Sequence, residues 1–350
     1  MRTATMAHAP ARTKPLEALL LWGAGLDYPM YEGIIKSRVA RELKEEWECG
    51  RKGIVALVQS TATRLDRKDS HGDTWQYTRR HSLEVAYYSC LMAVEAKAAG
   101  LRDAQDLDLR SVFTGGFTHD IGKTFLPLAL VAKERGVDFG VCHAFGGLRL
   151  SDNERNLLRR EHVSAGLRYF ESFGDWPGRT TARDMVQYHH VMYDGKSTTY
   201  PSYPGGLKGW ELPSCANIAK TADFISAIGH RHYRKHYGRE DGVQWLGHRV
   251  AHAVAVAGQE LCPSTVACFI TAVYGGEYGR TEAMVKRLGG KNDASDPQGA
   301  GNYAMAVVRN DSDFAAITKE RDASKLTVNW MGITRCAGEL GAPALYKVSQ

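Results

Sequence analysis

The stretch Phe117-Thr118-His119-Asp120-Ile121-Gly122-Lys123 sets an imidazole directly beside a carboxylate. Such a pair can offer both groups to one metal ion, and the second oxygen of Asp120 can bridge to another. Gly122 lets the backbone come close, and Lys123 adds a positive charge beside the site. Alone, the dipeptide is a weak signal, because adjacent residues recur by chance. A buried His next to a helix-capping Asp would produce it equally well. Further candidate ligands change the weighing: His81, His162, the pair His189-His190, and Asp223. Apart from the adjacent pairs, each falls on a different expected helix or helix end. Imidazole and carboxylate suit borderline divalent metals, unlike soft thiolate sites. Two adjacent histidines at a helix end cannot easily both face a core. Asp223 lies among Ala219, Ala222, Phe224 and Ile225, where a carboxylate would be buried. A buried charge must be paired or bound to a metal, and His and carboxylate groups gathered in one place read as a metal site.

The elements that must position these residues read as helices. Tyr77 to Ala99, with Leu83, Val85, Leu91, Met92 and Val94 as apolar positions and Gly100 as its stop, carries His81. Leu109 to His119 is apolar enough to be a buried helix leading into the His-Asp pair. Leu126 to Arg135 continues in helical style, and Gly136 to Leu150 reads as a loop. Ser151 to Phe170 carries His162, with Ser151 as cap and Glu154 completing a capping box. Thr180 to His190, capped by Thr180 or Thr181, ends in the His pair. Gly195 to Gly209 is a Gly/Pro/Tyr-rich loop, and Cys215 to Ile228 carries Asp223. The expected domain is 71–240. Residues 1–70 form a helical N-terminal region, with helices over Tyr31 to Trp47 and Ile54 to Leu65 that pack against it. Residues 241–350 form a C-terminal region of unassigned role. There, Val243 to Gly258 and Ser264 to Tyr274 read as helices and Gly289 to Gly301 as a linker. Strands over Tyr303 to Val308 and Leu326 to Trp330, with a helix capped by Asp311 or Ser312 between them, would make a small α/β appendage. The fold class expected is mainly α.

Composition narrows the function classes. The chain has 350 residues, 43% hydrophobic and 24% charged, as in soluble globular proteins. A net charge of +6 suits an anionic ligand such as a nucleotide or nucleic acid without proving either. Seven cysteines, odd in number and scattered, give neither a disulfide framework nor a CxxC pair for structural zinc. A reduced, cytoplasmic setting is the simpler reading. Leu16 to Leu26 is faintly similar to a signal peptide, but Glu17 interrupts it and no cleavage site follows. No run approaches the ~20 apolar residues that a membrane span needs, so no membrane partner is expected. Cys142, Cys262 and Cys268 read as core or loop thiols. His248 and His252, one turn apart, lack a third ligand nearby.

In order along the chain, HSLEVA, HDIGK, EHVSAGL, YHHVMYDGK, YPGGLKGWELP and IAKTADFISAIGHRHYRK together resemble the HD-GYP branch of the HD-domain phosphohydrolases, over about residues 75 to 237. The resemblance implies an all-α HD-domain helical bundle. It also implies a site holding two, sometimes three, divalent metals, usually iron or manganese. Its usual substrate would be cyclic di-GMP, with the mixed cyclic GMP–AMP preferred by some members. By position, Asp120 would bridge the metals. His81, His119 and Asp223 would complete one centre, and His162, His189 and His190 the other. Asp120 and Lys123 would be the catalytic pair, Lys123 contacting the scissile phosphate. Asp194 and Tyr203 would join the substrate-binding set, and Arg231 and Arg234 would face the second phosphate or a base. A water between two cations ~3.5–4 Å apart loses a proton near neutral pH and becomes the nucleophile. The first product would be the linear dinucleotide.

The chain departs from that pattern in several places. Tyr77 stands where members with a third metal carry Glu, so two metals are expected. Val191 and Met192 replace the Glu and Arg that follow the paired histidines. Ser197 to Ser202 are inserted before Tyr203-Pro204, and Tyr200-Pro201 aligns equally well. Ser226 replaces the family's second Asp after the metal-binding one. The metal site is thus intact while the substrate loop is altered. Three alternatives follow: an HD-fold phosphohydrolase acting on mononucleotides, a catalytically weak cyclic-dinucleotide sensor, and, ranked lowest, a nucleic-acid-processing relaxase-like protein. HSLEVA followed by HDIGK also resembles the HD-fold relaxases, but their upstream paired His and paired Gly are missing here. Nucleic acid is therefore not the expected partner, and a homodimer is left open.

Overall fold

The computed structural model describes residues 74–126, 152–173, 175, 178–195, 207–209, 211–229, 246–291 and 297–319. Within them the elements are α1 (Thr74–Ala98), α2 (Leu109–Thr118), a 3₁₀ turn (Ile121–Phe125), α3 (Asp152–Glu171), α4 (Arg179–Tyr188) and α5 (Ser214–Gly229). They continue with α6 (Leu246–Ala255), α7 (Pro263–Tyr274), α8 (Tyr278–Leu288), α9 (Pro297–Asn310) and α10 (Ser312–Lys319). The described part is mainly helical and contains no strand, in keeping with an HD-domain helical fold. A lone bridge joins Ala257 and Leu261.

α1 is the axis of the structure. From Leu91 to Ala96 every residue is buried, Glu95 included, so this stretch of the helix has no solvent face. A helix closed off all round belongs in a core, and α1 lies against α2, α5 and α7. Tyr88 meets Phe269 of α7 edge to face, with ring centroids 5.0 Å apart. α2 starts at Asp108, whose carboxylate accepts from the Ser111 N–H (3.2 Å) and the Ser111 hydroxyl (2.7 Å). Such a cap contributes about 1 kcal/mol. α2 also packs against α4, and α3 packs against the 3₁₀ turn. The chain between α1 and α5 is thereby drawn back toward the first turns of α1.

One hydrophobic core runs through this bundle and on into the later helices. Leu91, Met92, Val112, Met185 and Ile225 belong to the same buried cluster as Val250, Phe269, Val285, Val307 and Phe314. The expected boundary near 240 falls in residues 230–245, outside the described residues. No described helix is long and apolar enough to cross a membrane. Cys262 and Cys268 lie at the N-cap and in the interior of α7, where burial pushes both thiols up.

Three expectations need correction. Tyr303 to Val308 is not a strand but the middle of α9. Ala300, Ala304 and Val307 face the core at helical spacing, and the Tyr303 hydroxyl donates to the Leu288 carbonyl at 2.9 Å. Six residues rich in apolar side chains cannot reveal their period. The linker read over Gly289 to Gly301 is already helical from Pro297. Third, α4 starts at Arg179, and neither Thr180 nor Thr181 caps it. The N-cap is Gly178 at φ 81°, with no side-chain bond, and a Cβ there would overlap the Ser111 hydroxyl. The cap expected at Asp311 is present, its carboxylate accepting from the Phe314 N–H at 2.8 Å. The N-terminal helices, the segments read over Leu126 to Arg135 (beyond Leu126) and Gly136 to Leu150, the Ser151 cap, Cys142 and the strand at Leu326 to Trp330 lie outside the described residues.

His252 on α6 is buried, and burial first, then neighbouring His248, push it from 6.5 down to about 4. The unfolded chain takes up a proton below about pH 6.5 that the folded chain accepts only near pH 4. His252 therefore contributes stability above pH 6.5 that is lost as the pH falls through this window. Between pH 7 and pH 4, urea unfolding should show wild type losing about 3 kcal/mol more than His252→Gln. Parallel losses in the two proteins would contradict this.

Candidate metal centre

Five helices and one turn bring the candidate ligands together. His81 lies on α1 and Asp223 on α5, two helices packed side by side. His119 is the C-cap of α2, and Asp120 follows at φ −99°, ψ 5°, the bridge region, where the chain leaves the helix. That break lets two adjacent side chains address one spot. His162 sits on α3. His189 is the C-cap of α4 and His190 follows it, again at a helix end. The close approach expected at Gly122 is to α3: a Cβ on Gly122 would overlap the carbonyl oxygen of His162.

The two oxygens of Asp120 face different sets of imidazoles. Oδ1 is 3.4 Å from His162 Nε2 and 3.9 Å from His189 Nε2. Oδ2 is 3.7 Å from His81 Nε2 and 3.6 Å from His119 Nε2. His190 Nε2 joins the first set, 3.2 Å from His162 Nε2, which is itself 3.3 Å from His189 Nε2. Asp223 Oδ1 closes the second, 3.0 Å from His81 Nε2 and 3.8 Å from His119 Nε2. Within each of three overlapping groups, one of them Asp120, His162, His189 and His190, the ligand atoms lie within 4.8 Å of one another.

Hydrogen bonding behind the rings decides which nitrogen is presented. His119 Nδ1 lies 2.7 Å from the Gly116 carbonyl, His162 Nδ1 2.8 Å from Leu158, and His189 Nδ1 2.9 Å from Val186. A carbonyl only accepts, so each Nδ1 carries the proton and the lone pair of the neutral ring is on Nε2. His189 stays neutral, because burial and then its neighbours His119 and His162 push it well below its ordinary pKa. Burial also lowers His81, although Asp223 pulls the other way. His119 Nε2 is buried without a hydrogen-bond partner. The His162 and His189 lone pairs that face one another at 3.3 Å, beside an orphaned His119 Nε2 and a carboxylate, repel unless a cation lies between them. The donor set fits divalent metal ions held by His and carboxylate.

Positive charge is already present on one side. Lys123 is buried, with Nζ 2.8 Å from Asp120 Oδ2. Burial opposes ionisation of Asp120, but Lys123, His119, His162 and His81 outweigh it and hold the carboxyl well below the usual range. Asp223 is likewise held below the usual carboxylate range, against burial, by the neighbouring His81 and then His119.

Not every candidate converges. Asp194 is half-buried in the loop after His190 and is absent from the ligand groups. Its N–H donates to the Gln259 carbonyl (2.9 Å) and the Tyr193 N–H to the Glu260 carbonyl (3.2 Å). Tyr203, Arg231 and Arg234 lie outside the described residues. His248 and His252 belong to no ligand group among the described residues. Sequence reading missed Glu84, and it saw Ser226 only as a departure. Each stands three residues after a candidate ligand, His81 and Asp223 respectively, and therefore on the same helix face.

Gly122→Ala is the sharpest probe of how the centre is assembled. The added methyl must push the turn off α3, a misfit of the kind that costs about 1–3 kcal/mol. It should also separate Asp120 from His162 and lower bound metal. Retention of wild-type unfolding midpoint and metal content by Gly122→Ala would refute the close contact.

The family model for the HD domain matches residues 78–228, a span that includes His81, the His-Asp pair, His162, His189-His190 and Asp223. No curated protein matches the chain. An HD domain is thus found at residues 78–228, and HD domains are typically metal-dependent phosphohydrolases that bind divalent metals.

Proposed function

We propose that the protein is a metal-dependent phosphodiesterase that opens a cyclic dinucleotide, cyclic di-GMP before cyclic GMP–AMP, to the linear dinucleotide. The observation that carries the reading is the divided carboxylate: Asp120 presents one oxygen to His162 and His189 and the other to His81 and His119. A single-ion site has no use for that division. Two divalent ions, iron or manganese by the resemblance in sequence, would when bound supply an acidic water and positive charge for the phosphoryl oxygens. His81, His119 and Asp223 would hold one ion, His162, His189 and His190 the other, with Asp120 shared.

The remaining work falls to residues of the chain. Lys123 has a flexible stem, so its ammonium can turn from Asp120 toward a non-bridging phosphoryl oxygen and stabilise charge that grows there. Burial of the ligands keeps bulk water from screening that interaction. Asp194, braced through the backbone by Gln259, would face the substrate beside the His pair. Tyr203, Arg231 and Arg234 complete the proposed substrate set, and the two arginines supply charge for a second phosphate. The net charge of +6 agrees with an anionic substrate.

Metal content of the purified protein, with turnover of both cyclic dinucleotides in added Mn²⁺ or Fe²⁺, tests the reading. Two ions per chain and release of linear dinucleotide are expected. Lys123→Ala should keep its metal and lose roughly 10²–10³ in kcat. Two ions without turnover of either compound would overturn the phosphodiesterase in favour of a sensor or another phosphoester, and no bound ion would overturn the centre.

A further inference from the structure

We propose that Ser226 and Glu84 are positioning residues that hold His81 in the tautomer able to bind a metal. The inference rests on reading the cluster as a metal centre. It starts from two helices in contact, α1 and α5. His81 and Glu84 are three residues apart on α1, and Asp223 and Ser226 three apart on α5, so each pair shares a face. Two rungs span the gap: His81 Nε2 to Asp223 Oδ1 at 3.0 Å, and Ser226 Oγ to Glu84 Oε2 at 2.8 Å. A diagonal joins them, His81 Nδ1 to Ser226 Oγ at 2.9 Å. Ser226 is fully buried and His81 nearly so.

The direction of the protons follows from what each group can do. An ionised carboxylate only accepts, so the Ser226 hydroxyl gives its proton to Glu84. The Ser226 oxygen must then accept from His81, which puts hydrogen on Nδ1 and leaves the lone pair on Nε2, toward Asp223 and Asp120. His119, His162 and His189 obtain the same result from backbone carbonyls, which are unambiguous acceptors. A serine hydroxyl is not: turned round, it would donate to Nδ1, and Nε2 would carry the hydrogen and bind nothing. Glu84 removes that freedom. It therefore acts on the centre through Ser226. Arg249 of α6 hydrogen-bonds the Tyr88 hydroxyl beside it, so the same corner is tied to the later helices.

The test is metal affinity of the full chain, read by competition between the protein and a chelator for Mn²⁺ and Zn²⁺. Ser226→Ala should bind one of the two ions roughly 10–100-fold more weakly, the usual effect of losing a partner behind a metal-bound His. Ser226→Thr, which keeps the hydroxyl, should restore affinity close to wild type. Glu84→Ala should weaken binding roughly tenfold with an unchanged unfolding midpoint, an outcome that a purely structural role does not produce. If Ser226→Ala fails to fold, Glu84→Ala, at a half-buried position, decides alone. Wild-type affinity in the folded variants overturns the positioning role and leaves the metal centre standing. A wild-type chain that takes up neither ion overturns the centre itself.

Discussion

The organising constraint is the cost of placing seven polar groups inside a helical core. Asp120 and the imidazoles of His81, His119, His162 and His189 are almost wholly removed from water. A buried carboxylate needs charge partners or metal, and a buried lone pair needs a donor. The rings of His119, His162 and His189 cannot satisfy one another, because their protons already point outward to carbonyls. Lys123 answers only the Oδ2 side of Asp120. The interior is thus built with a deficit of positive charge on the inner faces of these three rings.

The rest of the structure keeps that arrangement from relaxing. Two of the ligand pairs sit where a helix stops, at His119-Asp120 and His189-His190, so their geometry depends on how α2 and α4 end. α1 and α5 run past them as continuous helices and offer His81 and Asp223 from packed faces. The helices after residue 246 share the core of α1 and α5, and the carbonyls of Gln259 and Glu260 hold the loop that follows His190. Lys220, one turn before Asp223, adds an ion pair with Glu260 at 2.7 Å.

How much of this the sequence discloses differs from residue to residue. The helices carrying His81, the His-Asp pair, His162 and Asp223 are legible within a few residues, from apolar positions at helical spacing, the stop at Gly100 and the capping-box pattern ahead of His162. The convergence of the ligands is legible because histidines and buried carboxylates are otherwise hard to accommodate. Tyr303 to Val308 misleads, because a short apolar stretch shows no period until the surface it packs on is known. Gly178 misleads for a related reason: what forbids a side chain there is Ser111, distant in sequence. Ser226 is read from sequence as a loss, whereas its partner Glu84 lies 142 residues away in the chain and on the neighbouring helix.

The contact between Gly122 and the His162 carbonyl puts two main chains in touch with no side chain between them. The offset between Asp120 and His162 is therefore gauged by backbone bonds, which are stiff, and not by rotamers, which hop. Core substitutions elsewhere can change how tightly the helices pack while this offset stays constant. An ion held there would meet a fixed calliper, one that admits ions by radius and excludes those that would require the turn and α3 to part.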